Sequence, residues 1–231
     1  LIDNSIPYYV FLDSNGDILD EQTISFKDNP LDVKVRRVID SGDYILACGE
    51  KLSSENISSA FIIGIEGLSV YADILVGDKN VVASAQTMVQ KEDDCFCVLT
   101  YKDKYSENDE YLSSSVALVE FTVDSYSSVS SKILWESSDE KDLWAYDLTY
   151  DESSDTYAVL TWNDEKQYTK LFFIDGSSGT EKFDNILLNT YAFSKISKSI
   201  DGKVILCGSF INQLTDSREA CFIEIDVSTG T

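Results

Sequence analysis

The sequence predicts an all-β protein built from a repeated four-stranded antiparallel unit. The first observation is a C-terminal stretch, residues 200–230, that runs IDGKVILCGSF, then a polar loop INQLTDSR, then EACFIEIDVSTG. It reads as turn, strand, loop, strand, turn, and versions of it recur upstream. The second is residue type. β-Branched and aromatic residues dominate the runs, and Gly, Asn, Asp and Ser dominate what separates them. No stretch sustains an apolar period of 3.6, so no long helix is expected.

The elements follow in order. The FIEID-like third strand occurs at residues 9–13 before Gly16, 61–65 before Gly67, 117–121, 171–175 before Gly179, and 222–226 before Gly230. The copies lie about 50 to 55 residues apart, a period of arrays and propellers. A second strand precedes each full copy at 44–49, 96–100, 157–161 and 204–208, behind an acidic turn. First strands are expected at 33–39, 81–89, 144–150 and 191–196, and fourth strands at 23–26, 70–76, 132–135 and 185–188. Asn15-Gly16 reads as a two-residue hairpin turn whose central positions both need positive φ.

Ala60, Phe61, Ile62 and Ile63 run on without a polar face, so these sheets are expected to be covered on both sides. A four-stranded sheet stacked radially between copies of itself meets that demand, which gives a β-propeller. Small residues at Ala47, Cys48-Gly49 and Cys207-Gly208 suit the narrow inner part of such a stack. Tandem sandwich domains would need about 100 residues each. Residues 1–231 are therefore expected to form one propeller domain or an arc of one, with about four blades, incomplete as given. The repeats are 1–28 (partial), 29–78, 79–136, 137–189 and 190–231 (partial). The parts that complete the ring are expected in a longer polypeptide, or the end strands at 1–26 pair with a neighbouring copy.

Residues 40–49 with 60–67, and 201–208 with 220–230, resemble the propeller repeats of the form DGgYilaG…afivkiD-x-x-x-G. That resemblance implies architecture and leaves function open. Residues 175–183, DGSSGTEKF, are similar to the D-x-x-[ST]-G-x-x-x-[WF] turn of quinoprotein-type propellers, and 226–230 start the same way. That turn is structural in those enzymes, and their adjacent Cys-Cys pair is absent here.

The net charge is −23, from 41 acidic against 18 basic residues. Phosphates would be repelled, which argues against nucleic acid and anionic membrane surfaces. No apolar run reaches the roughly 18 to 20 residues that span a bilayer, so no membrane insertion is expected. Five cysteines, at 48, 95, 97, 207 and 221, fall on expected strands. Cys48 and Cys207 share a repeat position and read as small buried side chains. Cys207 and Cys221 could also meet across a hairpin as a disulfide. Cys95-x-Cys97 lacks the further ligands of a zinc site. Asn56-Ile57-Ser58 is an N-glycosylation sequon in an expected loop. With the Ser-rich, acidic surface it favours an extracellular or cell-surface location over a cytoplasmic one.

There is no histidine, which removes Ser-His-Asp and Cys-His nucleophilic systems and the usual neutral-pH base. Paired carboxylates remain the one catalytic option, as in glycoside hydrolysis. Residues 13–17 lack the spacing of a calcium loop and read as a hairpin turn. No catalytic, cofactor or metal residue is assigned.

Loops between second and third strands, at 50–59, 102–114, 163–169 and 211–218, vary in length on a constant scaffold, which is where function is placed. The longest carries Tyr105, Glu107, Asp109, Glu110 and Tyr111 beside Tyr101. Tyrosines among acids can stack on sugar rings or anchor a protein. Trp135, Trp144 and Trp162 read as inter-blade core. The expected function is a non-catalytic scaffold making protein or glycan contacts, as part of a larger surface or filament-type assembly. The alternative is the propeller domain of a carbohydrate-active or quinoprotein-like enzyme.

Overall fold

The computed structural model describes residues 7–231 apart from 27, 29, 43–44, 67–69, 124–128, 139, 184–185, 190, 200, 213 and 216. The expected turn residues Asp43 and Gly67, and Asn185 at the start of an expected strand, lie outside the described residues. Every regular element among the described residues is a strand. β1 (Tyr8–Leu12) and β2 (Ile18–Thr23) form a hairpin. The first four-stranded sheet comprises β3 (Asp32–Asp40), β4 (Ile45–Leu52), β5 (Ser58–Glu66) and β6 (Tyr71–Val76). The second comprises β7 (Val81–Glu92), β8 (Cys95–Tyr105), β9 (Tyr111–Val123) and β10 (Val129–Glu136). The third comprises β11 (Leu143–Asp151), β12 (Thr156–Asn163), β13 (Tyr168–Asp175) and β14 (Ile186–Asn189). A three-stranded sheet, β15 (Tyr191–Lys198), β16 (Lys203–Asn212) and β17 (Ser217–Asp226), ends the series. Each sheet is a sequential antiparallel meander.

The first strands of successive sheets, β3, β7, β11 and β15, lie against one another and make the inner wall. Each carries a bulge at the same place: between Val35 and Arg37, Ala85 and Thr87, Ala145 and Asp147, and Phe193 and Lys195. A bulge bends and over-twists its strand, which suits a strand at the crowded axis. The bulge also explains the glycines. A Cβ on Gly49 would stand 1.9 Å from the Lys34 carbonyl oxygen on the bulged strand. In the two central sheets the same position is Thr100 or Thr161, whose hydroxyl donates to Ala117 O at 3.1 Å or Lys170 O at 3.0 Å.

Three apolar cores lie between consecutive sheets. Leu46, Cys48 and Ile62 meet Phe96, Val119 and Phe121. Leu99, Leu118 and Trp135 meet Leu143, Tyr157 and Phe172. Leu160, Leu171 and Phe173 meet Phe193, Leu206 and Ile225. A fourth cluster lies on the other face of the first sheet, where Ala47, Phe61 and Ile63 take Ile24, with Tyr9 and Phe26 packed against it. The inner sheets are thus covered on both faces, as their unbroken apolar runs require.

Strand register identifies one repeat position in all four units: Cys48 opposite Ile62, Leu99 opposite Leu118, Leu160 opposite Leu171, and Cys207 opposite Phe222. The first three pairs are 0% exposed, whereas Phe222 is 77% exposed and Cys207 is exposed too. The expectation of a buried Cys207 fails because no following sheet covers this face among the described residues. The disulfide fails on register. Cys221 pairs with Gly208, one residue past Cys207, so the two side chains leave opposite faces of the sheet. All five thiols are free.

Two local expectations also need correction. The fourth strand of the first partial unit is β2, not residues 23–26. β2 is exposed throughout and carries little apolar signal. The apolar signal at 24–26 marks packing instead, with the Phe26 ring edge-on to Phe61 at 5.1 Å and to Tyr71 at 5.7 Å. At the Asn15-Gly16 turn only Gly16 has positive φ (88°). The Gly16 N–H donates to Asp13 O at 3.0 Å, and Asp13 Oδ1 accepts the N–H groups of Asn15 and Asp17. This is a longer turn closed by a side-chain cap.

The quinoprotein-like turns share that logic. Asp175 Oδ1 accepts from Ser178 N at 2.8 Å and Ser178 Oγ at 2.9 Å, and Gly179 N donates to Asp175 O. Asp226 does the same with Ser228 N at 2.7 Å, while Gly230 N donates to Asp226 O. The N–H and hydroxyl groups of Ser178 hold the Asp175 carboxyl down at about 2. The motif is a turn device in this chain.

Candidate functional site

The hairpins joining second to third strands gather at one end of the stack with the connectors between sheets. The strands run further toward this end than alternation indicates. Lys102, Asp103 and Lys104 stay paired with Ser115, Ser114 and Ser113, so only residues 106–110 turn. The turns at 53–57 and 106–110 are built alike. Ser53 Oγ accepts from Glu55 N and Ile57 N at 3.2 Å, and Ser106 Oγ accepts from Asn108 N and Glu110 N at 3.2 Å. Asn56 (φ 60°) and Asp109 (φ 61°) take the left-handed position.

The six residues singled out in this loop separate into two groups. Glu107, Asp109 and Glu110 are exposed at the turn, as is Asn56 on its own turn. Tyr101, Tyr105 and Tyr111 are half-buried on strands. Tyr105 and Tyr111 are a cross-strand pair with ring centroids 5.9 Å apart. The Tyr111 hydroxyl accepts from Asp142 N at 2.8 Å and bonds Ser114 Oγ at 2.6 Å, which donates to Asp103 at 2.6 Å. Tyr111 therefore bolts the second sheet to the third. Tyr101 packs edge-on against Trp144 at 6.4 Å. Trp135 (7% exposed) and Trp162 (8%) are core, whereas Trp144 is 36% exposed.

Sequence reading missed an ionic cluster near the inner wall. Glu50 Oε1 accepts from Lys34 Nζ at 2.8 Å and Arg36 at 3.3 Å. Burial opposes its charge, yet these two cations hold its carboxyl below the usual range. Asp103 goes the other way: burial and the Glu50 charge push it up against the Ser114 hydrogen bond. Its signal in the sequence was Lys34 and Arg36 two apart, opposite Glu50. Nearby, Lys51 is 3% exposed. It clasps Asp28, Tyr71 and Asp73 and ties the segment after β2 to the first sheet.

A cleft of about 280 Å³ opens at the same end between the third and last sheets, lined by Trp162, Gln167, Ala192, Ser209, Phe210, Ile211 and Arg218. Among the described residues no group of three His, Cys, Asp or Glu is placed to hold a metal ion. No helix there is long and apolar enough to cross a membrane.

No family model matches the chain, and no curated protein is similar enough to count as a match. Solved structures are similar in fold. The apocarotenoid oxygenase of Synechocystis has 10% identity and TM-score 0.52, over 97% of this chain and 53% of that one. The β-propeller domain of the Trilobed protease from Pyrococcus furiosus has 12% identity and TM-score 0.49, over 84% of this chain and 58% of that one. The exo-β-1,3-galactanase of Phanerochaete chrysosporium has 15% identity and TM-score 0.42, over 90% and 48%. The chain spans about half the length of these structures. The repeated four-stranded sheets and the oxygenase likeness place the chain in the β-propeller class; at such identity that likeness speaks to fold alone.

Proposed function

We propose that the chain is a non-catalytic β-propeller scaffold that works by contact with other protein copies, its last sheet receiving the N-terminal hairpin of a second copy. Phe222 carries the reading. It is 77% exposed at a position where Ile62, Leu118 and Leu171 are 0% exposed under the following sheet. The hairpin offers the matching surface. Tyr9 packs inward on the first sheet, while Tyr8 (68% exposed), Val10 (36%) and Leu12 (57%) leave its outer side apolar and open. One open face continues the stack forward and the other backward. Their contact is head-to-tail, and builds a ring or a filament according to the angle.

Sedimentation velocity over about 1–200 μM tests this. Mass rises with concentration for the native chain, while Phe222→Asp and Val10→Asp each stay monomeric. An equimolar mixture of the two variants stops at pairs, since each retains one intact face. A native chain that stays monomeric throughout sinks the proposal. The exposed sequon at Asn56 supports an extracellular or surface setting. A glycosidase-sensitive mass after secretion from a eukaryotic host checks it.

A glycan-processing propeller has one observation in its favour: Glu50 and Asp103 feel one another and their ionisation is pushed apart. Hydrolysis of chromogenic glycosides that vanishes in both Glu50→Gln and Asp103→Asn would establish it.

A further inference from the structure

We infer that residues 8–26 form a strap that opens from the first sheet as one unit while the four sheets after it stay folded, and that Lys51 latches it shut by holding Asp28. The inference goes beyond the association surface. It concerns the inner side of the hairpin and its tie to the first sheet, not the outer side that a second copy would meet.

The hairpin does not stabilise itself. β1 and β2 pair with one another and with no third strand among the described residues, and β2 is exposed along its whole length. An isolated two-stranded hairpin is marginally stable at best in water. What holds it is contact with the first sheet, and that contact is thin. Of the buried residues in the cluster there, Ala47, Phe61 and Ile63 belong to the sheet and only Ile24 to the strap, with Tyr9 and Phe26 partly buried beside it. Between the full sheets, by contrast, both sides contribute several buried residues, as where Leu46, Cys48 and Ile62 meet Phe96, Val119 and Phe121. Segments with few buried apolar contacts and solvated ladders open first, in contiguous units.

The latch sits where the strap meets the sheet. Lys51 leaves β4 on the same face as Ala47, the face that takes Ile24. It is 3% exposed and clasps Asp28, Tyr71 and Asp73, the last at 3.0 Å. Tyr71 and Asp73 stand on β6 of the same sheet, so they remain with Lys51 whether the strap is open or closed. Asp28 arrives only with the strap, and the Tyr71 hydroxyl also donates to it at 3.1 Å. Burial opposes the Asp28 charge, yet the hydrogen bonds from Lys51 and Tyr71 hold its carboxyl below the usual range. Leu31 N donates to Leu52 O at 2.7 Å, so opening leaves the chain pinned to the sheet from Leu31 onward.

Native-state hydrogen exchange of the full chain, at a concentration where it is monomeric, reads the opening. The paired amides of β1 and β2 exchange together, about tenfold or more faster than those of β5 and β8. Lys51→Met leaves Asp28 and Asp73 together without their cation, and speeds the hairpin amides by about tenfold while β5 and β8 keep their rates. Asp28→Asn, at an exposed position, speeds them less, because the Tyr71 hydroxyl still has an amide oxygen to donate to. Lys34→Met, which breaks an ion pair elsewhere on the first sheet, leaves the hairpin unchanged. The inference is overturned if the hairpin exchanges no faster than β5, or if either latch variant leaves its exchange unchanged. It is equally overturned if Asp28→Asn speeds β5 as much as the hairpin, or if Lys34→Met acts as Lys51→Met does. Exchange is read on the monomer, so the strap stands or falls apart from self-association.

Discussion

Alanine replacements at Leu118 and Phe222 probe one repeat position in two settings. Leu118 is 0% exposed between the second and third sheets, packed with Leu99, Trp135 and Phe172. Deleting a leucine side chain from such a site costs about 2–5 kcal/mol, the upper values where the cavity cannot collapse. Rigid sheets on both sides favour the upper half. Phe222 keeps roughly a quarter of its surface covered, being 77% exposed. A quarter of the roughly 3–5 kcal/mol for a buried Phe→Ala change is about 1 kcal/mol. Urea unfolding followed by tryptophan fluorescence, at a concentration where the chain is monomeric, measures both. A Phe222→Ala cost equal to that of Leu118→Ala under dilute conditions would refute the reasoning, since the face would then be covered within one chain. As concentration rises, the native chain gains stability and Phe222→Ala does not, because association stabilises only the form that binds.

Gly179→Ala should be far more damaging than Gly16→Ala. Both glycines have positive φ, which costs roughly 1–2 kcal/mol for an alanine. A Cβ on Gly179, however, lands 2.0 Å from the Leu134 carbonyl oxygen, whereas Gly16 has nothing within 4 Å; thermal unfolding of the two variants separates them. Tyr157→Phe is expected to be neutral or to stabilise by about 1 kcal/mol, since a buried hydroxyl without a well-formed hydrogen bond carries a desolvation cost and Tyr157 Oη has only the weakly accepting Cys97 thiol beside it. Its denaturation midpoint decides. Asp103 has a folded-state pKa raised by burial. Its stabilising contribution is therefore complete below the unfolded value near 3.9 and lost as pH rises through the folded one. Asp103→Asn should gain on the native chain as pH goes from 4 to 7, and a constant difference across that range would contradict the assignment. Association through Phe222 should strengthen with salt, because copies of charge −23 repel one another and ions screen the repulsion; light scattering across a salt series reads it.

The sequence by itself determined the strand order, the four-strand unit and the double-sided burial of its sheets. These follow from residue type and from alternation along a few neighbours, which is information each strand carries locally. The capped turns at Asp175 and Asp226 were legible for the same reason, since the capping carboxylate and its donors sit within four residues. Of the candidate site, the acids at 107, 109 and 110 and the sequon at Asn56 were read as surface from their turn residues. The tyrosines beside them were not, because Tyr111 is placed by Asp142 and Ser114, contacts that depend on how two sheets dock. The common bulge in every first strand, the Glu50 cluster and the Arg218 cleft arise likewise from register and sheet-to-sheet packing. Cys48 and Cys207 show the division most directly. They stand in the same local pattern at the same repeat position, yet one is sealed and the other open. Burial of a sheet face is decided by the sheet beside it, and only the tertiary structure says whether that neighbour is there.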